Sequence, residues 1–116
     1  MIVLVCGGRT FNDKELLFTV LDTLTITRLI HGGARGADAL TGRYARARGI
    51  PYDVFEADWH RHGRASGPIR NQRMLDEAHP NLVIAFPGGR GTNDMIRRAL
   101  KAKITVRSIE RKNPCL

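Results

Sequence analysis

The chain has 116 residues, is 42% hydrophobic and 26% charged, and carries a formal net charge of +8. That length suits one domain and not two, and no apolar run approaches the roughly 20 residues a bilayer requires, so a membrane partner is excluded and a cytoplasmic location is expected. Two cysteines, Cys6 and Cys115, supply neither a metal spacing nor a disulfide framework.

Short apolar runs alternate with helical patterns from end to end. Ile2-Val3-Leu4-Val5 is a continuous β-branched run of the kind buried on both faces of a sheet. A helix is expected after it, with Asn12 as N-cap, Glu15 three residues on, and Phe11 stapled to Leu16. Arg28–His31 reads as the second strand and Ala37–Arg48 as the second helix, with Leu40, Tyr44 and Ala45 on one face and Gly49 as its stop. Tyr52–Glu56 is the third strand, and Ala57–Gly67 a long polar connection. Pro68 opens the next helix at its first position. Asn81–Phe86 is the fourth strand, Pro87–Thr92 a loop, Asn93–Lys101 a helix and Ile104–Ile109 the last strand.

Strands and helices in alternation predict an α/β fold of three layers, in which a mostly parallel five-stranded sheet carries helices on both faces. The expected strand order is 3-2-1-4-5, with the topological switch between the first and fourth strands. One domain is assigned to residues 1–109, followed by a loose tail at 110–116.

Ligands in such sheets bind at the carboxyl ends of the strands, near the switch. Here those ends carry glycine and arginine. The first strand runs into Gly7-Gly8-Arg9, the second into His31-Gly32-Gly33-Ala34-Arg35-Gly36, and the fourth into Pro87-Gly88-Gly89-Arg90-Gly91-Thr92. Glycine lets a backbone approach a ligand closely, and the helices after the last two loops offer free amides and a dipole that favours an anion. Thr92 suits both a helix cap and a phosphate contact. The charge agrees: residues 1–58 hold seven basic and seven acidic groups, whereas residues 59–116 hold twelve against four. Such asymmetry favours an anionic partner.

Arg70, Arg73 and Glu77 fall on one helix face, with Met74, Leu75 and Ala78 toward the core. Arg70 lies in a first turn, where the dipole disfavours a cation, so a carboxylate or phosphate partner is expected for it. Arg97, Arg98 and Lys101 lie near a helix end, which suits cations, and read as a solvated face. Trp59 reads as packing its loop down. Asp58, His60 and His62 do not complete a metal spacing, and no metal is expected. Cys6 reads as a small core residue. Neither G-x-G-x-x-G nor G-x-x-x-x-G-K-[ST] occurs, so a dinucleotide dehydrogenase or P-loop ATPase is not indicated, and no cofactor is expected.

Together Gly7-Gly8-Arg9, His31–Asp38, Ala57-Asp58-Trp59, Gly67–Asn71 and Ala85–Thr92 resemble the SLOG superfamily of Rossmann-like domains, specifically its YspA-type, cpYpsA-related members. Arg70-Asn71-Gln72-Arg73-Met74 is similar to the R-K-x-x-M motif of the lonely guy phosphoribohydrolases, with Asn71 at the lysine. Pro87–Thr92 is similar to their P-G-G-x-G-T-x-x-E loop, with Met95 at the glutamate. Gly32–Asp38 and Arg70–Arg73 are also similar to stretches of the DNA-processing protein of natural transformation, which binds single-stranded DNA.

The resemblance implies binding of a nucleotide or nucleotide-derived molecule, for sensing or sequestration. Gly7, Gly8, Arg9, Gly32, Gly33, Arg35, Gly36, Asp38, Arg70, Asn71 and Pro87 through Thr92 (Pro87, Gly88, Gly89, Arg90, Gly91, Thr92) would form the ligand site. Two alternatives follow from the relatives. One is an N-glycosidic hydrolase of nucleoside monophosphates, with Arg70 and Asp94 as catalytic residues. The other is single-stranded nucleic-acid binding. The relatives also leave a homodimer open as an arrangement of the chain.

Overall fold

A computed structural model of the chain describes residues 1–110. Five strands, β1 (Ile2–Cys6), β2 (Arg28–His31), β3 (Tyr52–Val54), β4 (Leu82–Ala85) and β5 (Thr105–Ser108), form one sheet in the order β3-β2-β1-β4-β5. Every pairing is parallel. The central strand pairs Val3 with Leu29 on one side and with Leu82 on the other, so its ladder has no free edge. Val3, Leu4 and Val5 are accordingly fully buried. The expected order, switch point and Rossmann-like α/β class are all present.

The helices are α1 (Lys14–Asp22), α2 (Ala37–Arg48), α3 (Trp59–His62), α4 (Ser66–Ala78) and α5 (Arg90–Lys101). They cover both faces because successive strand residues point to opposite sides. Val3, Val5, Leu29 and Ile84 pack with Leu17, Leu21, Leu40 and Tyr44 of α1 and α2. Leu4, Cys6, Ile30 and Val83 pack with Met74, Leu75, Met95 and Ala99 of α4 and α5.

Several expected boundaries move. The N-cap of α1 is Asp13, not Asn12: the Asp13 carboxylate accepts from the Leu16 amide at 3.0 Å. The connection 57–67 is not plain loop, because Asp58 caps α3 by accepting from the Arg61 amide at 3.1 Å. A 3-10 turn, Gly63–Ala65, follows, and the buried Ser66 hydroxyl donates to Asp58 and Gly63 carbonyls at 2.9 and 2.6 Å. That bond draws the start of α4 back to Ser66, so Pro68 stands third, at a position whose missing amide hydrogen still costs no helix bond. The third strand stops at Val54, and the fourth and fifth are shorter than expected by a residue at each end. α5 begins at Arg90, which places Arg90, Gly91 and Thr92 in its first turn rather than in a loop. Thr92 is therefore no cap; Gly89 holds that position. Of the expected tail, all but Glu110 lies outside the described residues.

Gly36 and Gly49 flank α2 with φ of 75° and 67°. At Gly49 nothing stands within 4 Å of where a Cβ would be, whereas a Cβ on Gly36 would collide with the Gly8 carbonyl oxygen and stand 2.7 Å from the Arg9 carbonyl carbon. Gly49→Ala is expected to cost about 1 kcal/mol of strain, and Gly36→Ala at least about 3 kcal/mol because a clash is added. Urea-unfolding midpoints of the two variants check the difference.

Candidate functional site

The loop after β1 ties the other two glycine loops together. Gly8 donates its amide to the Pro87 carbonyl at 2.9 Å, and its own carbonyl accepts from the Phe11 and Ala37 amides at 3.2 Å each. A Cβ on Gly7 would stand 2.6 Å from the Ala37 Cβ, and one on Gly88 would be 2.7 Å from the Gly8 amide nitrogen and would overlap the Thr92 side chain. Gly36, Pro87 and Gly88 thus serve loop-to-loop contact, and none of them lines either of the two cavities at this rim. Of the two helix N-termini expected to offer open amides, α2 has already given its Ala37 amide to Gly8. In its first turn the Asp38 carboxylate accepts from the Ala34 amide at 3.1 Å.

The N-terminus of α5 differs. Gly89 supplies no side-chain cap, and its carbonyl receives the first intrahelical bond, from Asn93 at 3.0 Å. The amides of Arg90, Gly91 and Thr92 therefore precede the helical ladder. No atom lies within 4 Å of a Cβ position at Gly89 or Gly91, and neither has positive φ. The fold itself requires glycine at neither place.

Arg70 reaches from α4 across the ends of β2 and β3. One guanidinium nitrogen donates to the Gly32 carbonyl at 2.6 Å and to the Phe55 carbonyl at 3.5 Å, and Nε donates to Asn71 Oδ1 at 3.0 Å. With α4 starting at Ser66, Arg70 is its fifth residue and lies beyond the first turn in which it was expected. Of the carboxylate or phosphate expected for it, no carboxylate bonds it among the described residues, where carbonyls take its hydrogens and Asp38 acts on it through charge. A Cβ on Gly32 would stand 2.7 Å from Arg70 Cζ and 3.0 Å from Asp38 Oδ2, so Gly32 makes the room in which both side chains sit. Arg73 diverges from Arg70 and pairs with Glu77 at 2.9 Å in solvent. Asn71, 4% exposed, donates to the Gly91 carbonyl at 3.2 Å and to Asp94 Oδ2 at 3.0 Å. Asp94 also receives Arg98 Nε at 2.8 Å and Arg97 at 3.2 Å. Arg98 continues to Gln72 at 3.0 Å. It is thus a clamp between α4 and α5 rather than part of a solvated face.

Two adjoining cavities open at this rim. The larger, ≈ 780 Å³, is lined by Gly7, Gly8, Arg9, Asp38, Arg70, Asn71, Gly89, Arg90, Gly91, Thr92 and Asp94 of the expected residues. The smaller, ≈ 350 Å³, takes Gly32, Gly33 and Arg35, and shares Arg9, Ala34, Trp59 and Arg70 with the first. Trp59 corrects its expectation: it is 51% exposed, lies beside the Arg9 guanidinium at 5.6 Å from ring centroid, and forms a wall common to both cavities. Arg64, Pro68 and Arg97 also line the larger one and were not legible as site residues. The signal that could have found Trp59 is Asp58 before it, the N-cap of the short helix that Trp59 opens.

The larger cavity holds Arg9, Arg64, Arg70, Arg90 and Arg97 against Asp38 and Asp94. Arg9, Arg64 and Arg90 make no ion pair with any described residue. Burial pushes the Asp38 carboxyl up to about 6, against the Ala34 and Gly32 amides and the Arg70 charge. It pushes the Cys6 thiol up to about 12, helped by the Asp38 charge and opposed by Arg70, so Cys6 stays a thiol in the core. Burial also lowers the Arg70 pKa; Asp38 counters this and Arg9 adds to it. At Asp94 burial would raise the pKa, but the hydrogen bonds from Arg98 and Asn71 and the nearby arginine charges outweigh it and hold the carboxyl below its ordinary value.

A parallel α/β sheet of this strand order, whose switch point opens into an arginine-rich cavity, defines a Rossmann-like domain. Residues 1–62 match the YspA, cpYpsA-related SLOG family. The chain is similar to the Gene 61 protein of Mycobacterium phage D29, with 37% identity over an alignment of 116 positions that covers 90% of this chain and 92% of that protein. It belongs to the YspA, cpYpsA-related SLOG family.

Asp38 and His31 oppose one another in acid. A raised carboxyl pKa means that the Asp38 contribution to stability is complete below about 4 and lost as pH rises toward about 6. His31 is lowered to about 4, by burial and then by the Arg46 and Arg70 charges. Its contribution is complete above about 6.5 and lost as pH falls toward about 4. The two slopes offset in the native chain. Asp38→Asn is expected to leave stability climbing with pH across this window, and His31→Gln to leave it falling, as read from urea midpoints at successive pH values.

Proposed function

We propose that the chain binds a nucleotide or nucleotide-derived molecule through its phosphate, as a sensor or sequestering protein. The phosphate lies against the first turn of α5, where the Arg90, Gly91 and Thr92 amides and the helix dipole favour an anion. Arg9, Arg64 and Arg90 neutralise it, and Asn71 holds the Gly91 end of the turn in place. A volume of ≈ 780 Å³ suits a ligand of nucleotide size. One observation carries the reading: Gly89 and Gly91 keep their Cβ space empty for no reason internal to the fold, beside arginines without partners among the described residues. A glycine inside a helix costs about 1 kcal/mol relative to alanine, so its presence at Gly91 is explained by close approach of something outside the chain.

The two alternatives have weaker support. A hydrolase would need Asp94 to transfer a proton, and that carboxylate already accepts from Asn71, Arg97 and Arg98. A track for single-stranded nucleic acid would need several stacking side chains, and Trp59 is the single aromatic lining either cavity.

Isothermal titration with nucleoside monophosphates and the matching nucleosides tests the reading. Monophosphates bind and nucleosides do not. Arg90→Ala weakens binding by roughly 10- to 100-fold, the worth of a charged hydrogen bond. Gly91→Val abolishes it with the unfolding midpoint little changed. Equal binding of nucleosides and monophosphates, or full affinity in Gly91→Val, overturns the proposal; steeply salt-dependent binding of oligonucleotides alone replaces it with the nucleic-acid reading.

A further inference from the structure

The smaller cavity carries groups that the phosphate reading does not use. Its one carboxylate is Glu56, just past the end of β3. The Glu56 side chain lies across Gly33, with Cγ 3.0 Å and Oε1 3.6 Å from where a Cβ on that glycine would stand. It makes no ion pair or side-chain hydrogen bond with any described residue, although arginines 9, 35 and 70 line the same cavity. Arg70 has spent donors on Gly32, Phe55 and Asn71. Arg35 has made no such bond among the described residues.

A second phosphate does not suit this place, because it offers no hydrogen-bond donor to the unpartnered Glu56 carboxylate. A neutral heterocycle does. Trp59 and the Arg9 guanidinium offer flat surfaces at the boundary between the cavities, and both indole and guanidinium faces accept stacked bases. What remains on the lining is one acceptor pair, the Glu56 carboxylate, and one donor fork, Arg35. Guanine matches it: N1–H and the 2-amino group donate together from one edge, while O6 and N7 accept from an arginine on the next. Adenine presents an acceptor, N1, where guanine has a donor, and would turn it toward the carboxylate.

We propose that the smaller cavity is a base pocket selecting a guanine-type edge, with Glu56 as the specificity-determining acceptor, Arg35 as the donor and Trp59 as the stacking wall. This rests on the nucleotide reading above and names the base that reading leaves open.

Titration of the full chain with GMP, IMP and AMP tests it. GMP is expected to bind about tenfold or more tightly than AMP, the discrimination of one good bidentate pair. IMP, which lacks the 2-amino group, falls between them. Glu56→Gln replaces one acceptor by a donor and brings GMP affinity down toward that of AMP; because Glu56 is exposed, an unchanged urea midpoint verifies that the variant is folded. Trp59→Ala weakens all three nucleotides together. Equal affinity for GMP and AMP, or a preference for GMP that survives Glu56→Gln, overturns the base assignment while leaving the phosphate site standing. Failure of all three nucleotides to bind overturns both.

Discussion

Backbone-to-backbone contact among the ends of β1, β2 and β4, possible only where side chains are missing, determines where everything else on the rim lies. Gly8 spends both of its peptide groups on it, giving its amide to Pro87 and its carbonyl to Phe11 and Ala37. Gly7 fits against Ala37, and Gly36 against Gly8 and Arg9, at separations that no Cβ tolerates. The consequence is positional: the start of α5 and the start of α2 are both drawn against the loop that carries Arg9. Arg70 and Asn71 then bridge the remaining gap, from the Gly32 carbonyl to the Gly91 carbonyl.

This separates two populations of glycine and two of arginine. Gly7, Gly8, Gly32, Gly36 and Gly88 are consumed by the fold, whereas Gly89 and Gly91 have open space around them. Arg73, Arg97 and Arg98 are paired with carboxylates, and Arg70 is tied to carbonyls. Arg9, Arg64 and Arg90 keep their charges unspent around one concavity. Two like charges about 8 Å apart in water repel by about 0.5 kcal/mol, and more where the walls exclude solvent. Open glycines and unspent cations coincide at one edge of the sheet, where an anion would relieve the repulsion.

The fold was legible because the three central strands, β1, β2 and β4, are short, buried and largely apolar and run into glycine loops; right-handed parallel crossovers restrict the order in which they pair. Boundaries were legible only where a single residue decides them, as Gly49 does for α2. They shifted where a side chain from elsewhere intervenes. Ser66 bonding back to Asp58 recruits Ser66 and Gly67 into α4, and no local propensity encodes that bond. In the site, glycine-plus-arginine loops were visible, but which glycines face outward was not, since the same residue type serves contact between loops and access for a ligand. Arg64 and Trp59 were hidden for a related reason: their place on the rim depends on α3, a helix of four residues too short for periodicity to reveal.

The cavity is better suited to holding an anion than to moving a proton, and the reason lies in the geometry of α5. Position 95, where the phosphoribohydrolase motif carries glutamate, is Met95 here, 1% exposed and packed with Leu4, Cys6 and Met74. A carboxylate at that depth would need a partner to offset its desolvation, and the apolar neighbours supply none. The preceding residue, Asp94, is turned by about 100° along the helix and does line the cavity. There it meets Asn71, Arg97 and Arg98 and is kept ionised by them. A group so surrounded has no proton to give and little basicity with which to take one. Its effect is to anchor Asn71, which in turn fixes the Gly91 carbonyl, so that the acid inside the cavity acts on the first turn of α5.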